Sequence, residues 1–395
     1  EDDFIFHRAQ IEKKVGEAAE RFGISMDPKS LVRHLSVGQR QRVEILKSLY
    51  RNARVLILDE PTAVLIPQEV DALFETLNRL KKDGLSVIFI SHKLHEVTNI
   101  TDRVTVLRDG KAVGTVNTAE VTQGILAAMM VGRESFGVRR QAEALPAEKP
   151  VLEVVDLCAN DDKGLPALKK ISFHINRNEI LGIAGVGGNG QKELAETLCG
   201  VRPTSGGKII CDGQSLCGKE PVQFTNAGLG RIPEDRHEGM VADLTVTENL
   251  ALEHLDEYTR NGVLDRKAIR GHAEELISQF QIKARPADAT RTLSGGNMQK
   301  MLLARVLSRA PKVLIVPQPT RGLDVGATDY VRQSLLDQRA RGAGVLLISE
   351  DLDELLALSD RIAVIYEGEI VGVLPAHEAT PERLGLLMSG ALKEQ

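Results

Sequence analysis

The 395-residue chain has no tryptophan, and aromatic residues make up only 3% of it. Platforms on which nucleobases stack are therefore scarce. Its four cysteines, Cys158, Cys199, Cys211 and Cys217, form no C-x-x-C pair and crowd into one half of the chain. That spacing fits reduced thiols in the cytosol and argues against zinc ribbons or a disulfide framework. No apolar run approaches ~18 residues, so no segment reads as a membrane-spanning helix, and no secretory signal is expected. An excess of positive charge is missing too. The formal net charge is −5, which argues against a nucleic-acid partner held by phosphate neutralisation.

What is present is the composition of a globular protein, 42% hydrophobic and 27% charged, long enough for two or three domains. The stretch from Leu35 to His92 carries the densest chemistry. Leu35-Ser36-Val37-Gly38-Gln39 reads as a turn starting a helix to about Arg51, where Ser36 and open backbone N–H groups suit an anion. The run Val55 to Leu58 reads as a buried parallel strand delivering Asp59 and Glu60 to the sheet edge where such folds bind ligands. One carboxylate can hold Mg²⁺ through water and the next can orient or deprotonate an attacking water. Pro67 is placed to open a helix whose apolar face is Val70, Leu73, Phe74, Leu77 and Leu80. A second strand, Ser86 to Ser91, brings His92 to the same edge, within reach of a terminal phosphate. His92, His95 and Glu96 together also raise a metal site, but without the i, i+4 spacing or an evident third ligand. Taken singly, Ser36 reads as an ordinary helix cap and Asp59-Glu60 as an ordinary strand end.

An internal repeat organises the whole. Leu35-Ser36-Val37-Gly38 recurs as Leu293-Ser294-Gly295-Gly296, an offset of 258 residues. The same offset pairs Phe22 with Phe280, Thr62 with Thr320, Asp102-Arg103 with Asp360-Arg361, and Gly110 with Gly368. The amphipathic pattern from Arg8 to Phe22 recurs around Ile269 to Phe280, and strand pairs should turn at Asp109-Gly110 and Glu367-Gly368. Residues 1–133 thus read as part of one domain, 134–150 as a polar, proline-containing linker, and 151–395 as a second domain. The second copy has a front portion that the first lacks, so about 108 corresponding residues are expected to be missing before Glu1.

That front portion holds strands at Val151 to Leu157 and Lys170 to Ile175. It then runs Glu179-Ile-Leu-Gly-Ile-Ala into the loop Gly185-Val186-Gly187-Gly188-Asn189-Gly190-Gln191-Lys192-Glu193. Glycines between a strand and a helix let backbone N–H groups close around phosphates. Gly185 and Gly190 fit G-x-x-x-x-G, yet Gln191 stands where lysine is expected and Lys192 where serine or threonine would meet Mg²⁺. At the repeat offset, Asp59 and Glu60 become Pro317 and Gln318, and His92 becomes Glu350. Proline binds no magnesium and glutamine is no base, so the second copy is expected to bind nucleotide without efficient hydrolysis.

These features resemble the ABC-type ATPases. The resemblance implies tandem α/β P-loop domains, mostly parallel sheet with a helical subdomain in each. It makes Leu35 to Gln39 a signature motif, Val55 to Glu60 a Walker B strand and His92 a switch histidine. Asp59 would then serve Mg²⁺, Glu60 would be the catalytic carboxylate, and His92 would contact the γ-phosphate of ATP. The second signature, Leu293 to Gln299, would offer Ser294, Gly295, Gly296 and Gln299 to nucleotide, as Ser36, Gly38 and Gln39 would in the first. The pattern is similar to the ATP-binding subunits of importers for simple sugars and nucleosides, and Arg231-Ile-Pro-Glu-Asp-Arg236 and Gln318 to Ala327 lean to the nucleoside branch. One departure is Ile66, where the family usually has a polar residue. The implied partners are membrane permease subunits, docking near Arg231 to Asn249, and indirectly a substrate-binding protein. The implied location is the cytoplasmic face of the inner membrane, peripherally bound. A tandem ATPase acting on ribosomes or DNA, or an inactive truncated fragment, are the alternatives, and the 395-residue chain is expected to hydrolyse ATP poorly.

Overall fold

The apolar runs picked out above become strands whose burial depends on what covers them. In this computed structural model the described residues are 8–22, 24, 26–32, 35, 37–51, 53–62, 65, 67–91, 93–108, 110–131, 138–140 and 150–392. Ser36, Ile66, His92, Asp109 and most of the linker lie outside them. The chain divides into two units, residues 1–136 and 137–395.

In the first unit, helices Arg8–Arg21 and Val37–Tyr50 precede the strand Val55–Asp59. Helix Pro67–Lys82 then leads to strand Ser86–Ile90, which pairs in parallel with the first, Val55 opposite Ser86 and Asp59 opposite Ile90. Ile45, Leu46 and Leu49 of one helix and Leu73, Leu77 and Leu80 of the other cluster with Leu56 and Leu58. Full burial of a leucine such as Leu77 contributes about 1.5–3 kcal/mol. The strand was expected to be buried, and it is so on one face only. Val55 and Ile57 are exposed, as are Ile88 and Ile90 of its neighbour, because the described residues cover this two-stranded sheet from one side. Beyond helix Leu94–Ile100 comes a hairpin, Arg103–Arg108 with Lys111–Asn117, and the helix Gln123–Val131.

The second unit is built on a six-stranded sheet in the order Leu229–Arg231, Val313–Pro317, Gly344–Ser349, Ile180–Ala184, Arg361–Tyr366, Glu369–Pro375. All neighbours are parallel except the last pair. The three central strands are buried at every position, which is why they read as unbroken apolar runs rather than alternating ones. A four-stranded antiparallel sheet, ordered Pro166–Asn176, Pro150–Asn160, Gly206–Cys211 and Gln214–Ser215, packs on one face. Leu157, Ile171 and Ile209 from it share a core with Leu181, Ile183, Ile315 and Ile348. The opposite core joins Ile180, Leu314 and Leu347 to Leu250, Leu276 and Leu302 of helices Val246–Ala251, Arg266–Gln279 and Gly295–Leu307. The first of these helices starts at a capping box, in which Thr245 Oγ1 accepts from the Glu248 N–H while Glu248 accepts from the Thr245 N–H.

Candidate functional site

In each copy a carboxylate or its substitute follows directly on a strand that ends at the ligand-binding edge. After Asp59 the chain turns through Glu60, whose φ is 45°, and the Glu60 N–H donates to the Ile90 carbonyl at 2.9 Å. In the second copy Gln318 takes the same conformation, φ 46°, and its N–H donates to the Ile348 carbonyl at 2.7 Å. A left-handed residue without glycine is costly, so the frame has been kept while the chemistry at its tip changed. Asp59 is exposed and Glu60 half-buried.

Beneath each tip sits a buried network that has no linear motif. Thr62 Oγ1 donates to Glu96 Oε2 at 2.5 Å and Ser91 Oγ donates to the same oxygen at 3.2 Å. The second copy repeats it: Thr320 to Glu354 at 2.7 Å and Ser349 to Glu354 at 2.9 Å. Glu96 and Glu354 are both 1% exposed. Burial, outweighing the nearby Arg332 and the two hydroxyls, raises the Glu354 carboxyl above its usual value. Glu96 is thus engaged in holding the turn together, and among the described residues no cluster of three or more His, Cys, Asp or Glu could hold a metal ion. The only signal for this network was the recurrence of Thr62, Ser91 and Glu96 at the repeat offset.

The glycine loop closes on itself. Gly188 and Gly190 have φ of 88° and 106°, and a Cβ on Gly190 would lie 3.0 Å from the Ala167 carbonyl oxygen. The amide of Asn189 donates to the Val186 carbonyl at 2.8 Å, and that of Gln191 does the same at 3.0 Å. Asn189 is held in turn by the N–H groups of Glu367 and Gly368, at the predicted hairpin turn. Gln191 is buried and occupied inside the loop. Lys192, read from sequence with the phosphate ligands, sits on the outer face of the helix 3.8 Å from Glu196, with its side chain 61% exposed. Glu193 lies half-buried in the first turn of that helix.

Glu350 stands at the edge of this loop. A Cβ on Gly187 would come 2.8 Å from its Oε1, and the Glu350 N–H donates to Gln318 Oε1 at 3.3 Å. Burial, with Glu234 adding to it and Arg321 opposing, raises the Glu350 carboxyl above its usual range. Arg321 pairs with Glu234 at 3.1 Å. With Pro317 and Gln318 at the strand end, the second copy offers magnesium no carboxylate there.

The second signature begins a helix. Ser294 is the N-cap of helix Gly295–Leu307, exposed, and its Oγ accepts from Asn297 at 3.0 Å. Gly295 and Gly296 open the helix, and the Arg236 guanidinium lies against Gly295, 3.2 Å from where its Cβ would be. Gln299 departs from its assigned role, being 4% exposed and packed inward one turn on. In the first signature Gly38 and Gln39 fall in the first turn of helix Val37–Tyr50. The segment from Arg231 to Asn249 is pinned at its middle and at its C-terminal end. Buried Asn249 accepts from the Val241 N–H at 2.9 Å and donates to Thr290 Oγ1 at 2.7 Å, and Arg305 donates to the Gly239 carbonyl at 2.7 Å.

Comparison with known proteins identifies the family. The family described as ABC transporter matches residues 2–63 and 168–321. A glucose import ATP-binding protein of Haloferax volcanii is 49% identical over 385 residues, covering 96% of this chain and 70% of the relative. A nucleoside import ATP-binding protein of Lactococcus lactis is 44% identical over 96% of this chain and 75% of its own. A guanosine import ATP-binding protein of Bacillus subtilis is 42% identical, covering 98% of this chain and 77% of its own. A crystal structure of a nucleotide-free ATP-binding cassette from an ABC transporter superposes with a TM-score of 0.52 at 20% identity, over 60% of this chain and 95% of that one, which speaks for the fold alone. With its repeated strand-end turns, its signature helices and these relatives, the chain belongs to the ABC transporter family as a tandem transport ATPase of α/β P-loop fold.

Proposed function

We propose that the protein is the ATP-binding subunit that energises uptake of nucleosides or simple sugars through separate membrane permease subunits, with hydrolysis assigned to the first copy and nucleotide retention to the second. The observation that carries this reading is the pair of turns with matching φ and matching backbone hydrogen bonds, one tipped with Asp59 and Glu60 and the other with Pro317 and Gln318. In the first, Glu60 orients or deprotonates the attacking water, and His92 is assigned to the terminal phosphate. Asp59, exposed at its strand end, is the residue suited to hold Mg²⁺ through water. In the second, neither residue can do so. The import names of the relatives support the transport role, and among the described residues no helix is long and apolar enough to cross a membrane, so the permease is read as a separate chain. Attachment to the cytoplasmic face of the membrane follows from that reading.

The test is turnover in the assembled transporter, reconstituted in vesicles with its permease and a loaded binding protein. Glu60→Gln should lower ATP hydrolysis by roughly 10² or more, the range for loss of a general base, while nucleotide binding survives. Gln318→Ala should leave hydrolysis within about twofold of wild type, since a neutral amide has no proton to take. Equal losses would remove the assignment of unequal roles. Run with nucleoside-loaded and with ribose- or galactose-loaded binding protein, the same assay distinguishes the cargo, with stronger stimulation expected from the nucleoside.

A further inference from the structure

We propose that the glycine loop of the second copy is a diphosphate-selective site, at which Glu350 fixes a negative charge beside the loop so that ADP binds ahead of ATP. The proposal deepens the reading above and rests on it, since it takes the loop to hold nucleotide.

The loop supplies backbone N–H groups but no cation. A lysine following the last glycine of such a loop would reach the β- and γ-phosphates. Here the residue is Gln191, whose neutral amide is spent on the Val186 carbonyl. The neighbouring Lys192 is turned outward to Glu196. Magnesium, the other usual source of positive charge beside a terminal phosphate, finds proline and glutamine where its carboxylate would stand. Into this cation-poor mouth the chain puts Glu350, with Oε1 only 2.8 Å from the place of a Gly187 Cβ. A side chain at Gly187 would have to push the Glu350 carboxylate aside.

Its surroundings do not cancel that charge. Arg321 is the cation that reaches Glu350, and it is already paired with Glu234 at 3.1 Å. With Glu350 ionised the three groups sum to −1, and burial, which raises its carboxyl above the usual range, weakens that charge without bringing a cation to it. A backbone cradle can neutralise the inner phosphates of ADP and ATP alike. The added phosphate of ATP brings its charge toward Glu350, and close like charges in a partly desolvated site repel strongly. At the equivalent position the first copy has His92, a residue able to donate a hydrogen bond to phosphate. The exchange of His for Glu therefore does more than remove a helper. It turns the position from attractive to repulsive for a third phosphate, and makes the second site suited to holding the product form of the nucleotide.

The experiment uses the full chain, with ADP and the non-hydrolysable analogue AMP-PNP titrated calorimetrically. Photolabelling with 8-azido-ADP, mapped by mass spectrometry to the region of residues 150–200, locates the bound nucleotide. Wild type should bind ADP about tenfold or more tightly than AMP-PNP, a difference one unscreened like-charge contact readily supplies. Glu350→Gln, of nearly the same shape, and Glu350→His, the residue of the first copy, should each tighten AMP-PNP about tenfold and leave ADP within about twofold. AMP-PNP binding as tightly as ADP in wild type, or a preference that persists in both variants, overturns the proposal while the nucleotide reading stands. Failure of the loop to label with 8-azido-ADP overturns that reading itself, and the proposal with it.

Discussion

Single residues set the chemistry available at each strand-end turn, yet the residues that hold the turns are different from those at their tips. Asp59, Glu60, Pro317 and Gln318 were legible from sequence because a short motif and a constant offset exposed both the pattern and its loss. Glu96 and Glu354 were not, because their threonine partners lie 34 residues away in sequence and a serine five residues before a glutamate does not by itself announce a buried hydrogen bond. Their role predicts a graded result. Glu354→Ala leaves the hydroxyls of Thr320 and Ser349 without their acceptor in a buried place, which costs about 1–3 kcal/mol. Glu354→Gln keeps an acceptor and should cost less. The pH dependence has a definite sign. The folded carboxyl is raised above its usual 4.5 by burial, so its contribution to stability is fully present below about that pH and is lost as pH rises through the folded value. Wild type should therefore lose stability relative to Glu354→Gln between pH 4 and pH 7, by urea unfolding at each pH. A constant difference across that range would mean that the carboxylate is not paying for its burial.

Elements were read well where their burial is complete and less well where it is not. An unbroken apolar run means a strand covered on both faces, and Val313–Pro317 obeys this. Val55–Asp59 carries the same kind of run but alternates exposed and buried residues. Sequence reports what a strand is suited to, whereas burial also depends on which neighbours are present to cover it. The repeat turns this into a matched experiment. Ile57 is 63% exposed and Ile315, its counterpart, is 0% exposed. Ile315→Ala should cost about 2–5 kcal/mol through lost burial and the cavity left behind, whereas Ile57→Ala should stay within about 0.5 kcal/mol. Thermal unfolding of the two variants, followed by circular dichroism, would read the difference directly. Comparable losses at the two sites would show that the outer face of Val55–Asp59 is covered in solution.

At the scale of the whole molecule the reading depends on a partner, and the segment from Arg231 to Asn249 is where the protein can be asked about it. The segment leaves the edge strand Leu229–Arg231 at the same sheet end as Pro317. Its mixed charge run, Glu234 to Glu238, would by itself suit a solvated loop equally well. Asn249 and Arg305 instead tie its backbone down, so that a folded surface rather than a loose one faces outward. The charges on that surface are not equivalent. Arg236 donates to the Arg321 carbonyl at 2.9 Å and lies against Gly295, so reversing it would disturb the signature helix as well as any docking. Asp235, His237 and Glu238 are exposed. The clean probe is therefore Glu238→Lys, combined with Asp235→Asn to keep an acceptor for the His237 N–H, a bond of 2.8 Å. If the permease docks here, the double variant should keep its fold and its nucleotide binding yet lose most of its recovery with permease-containing membranes. It should also lose stimulation of hydrolysis by a loaded binding protein, since that signal has to pass through the docked surface. Full recovery with intact stimulation would move the docking surface elsewhere on the protein.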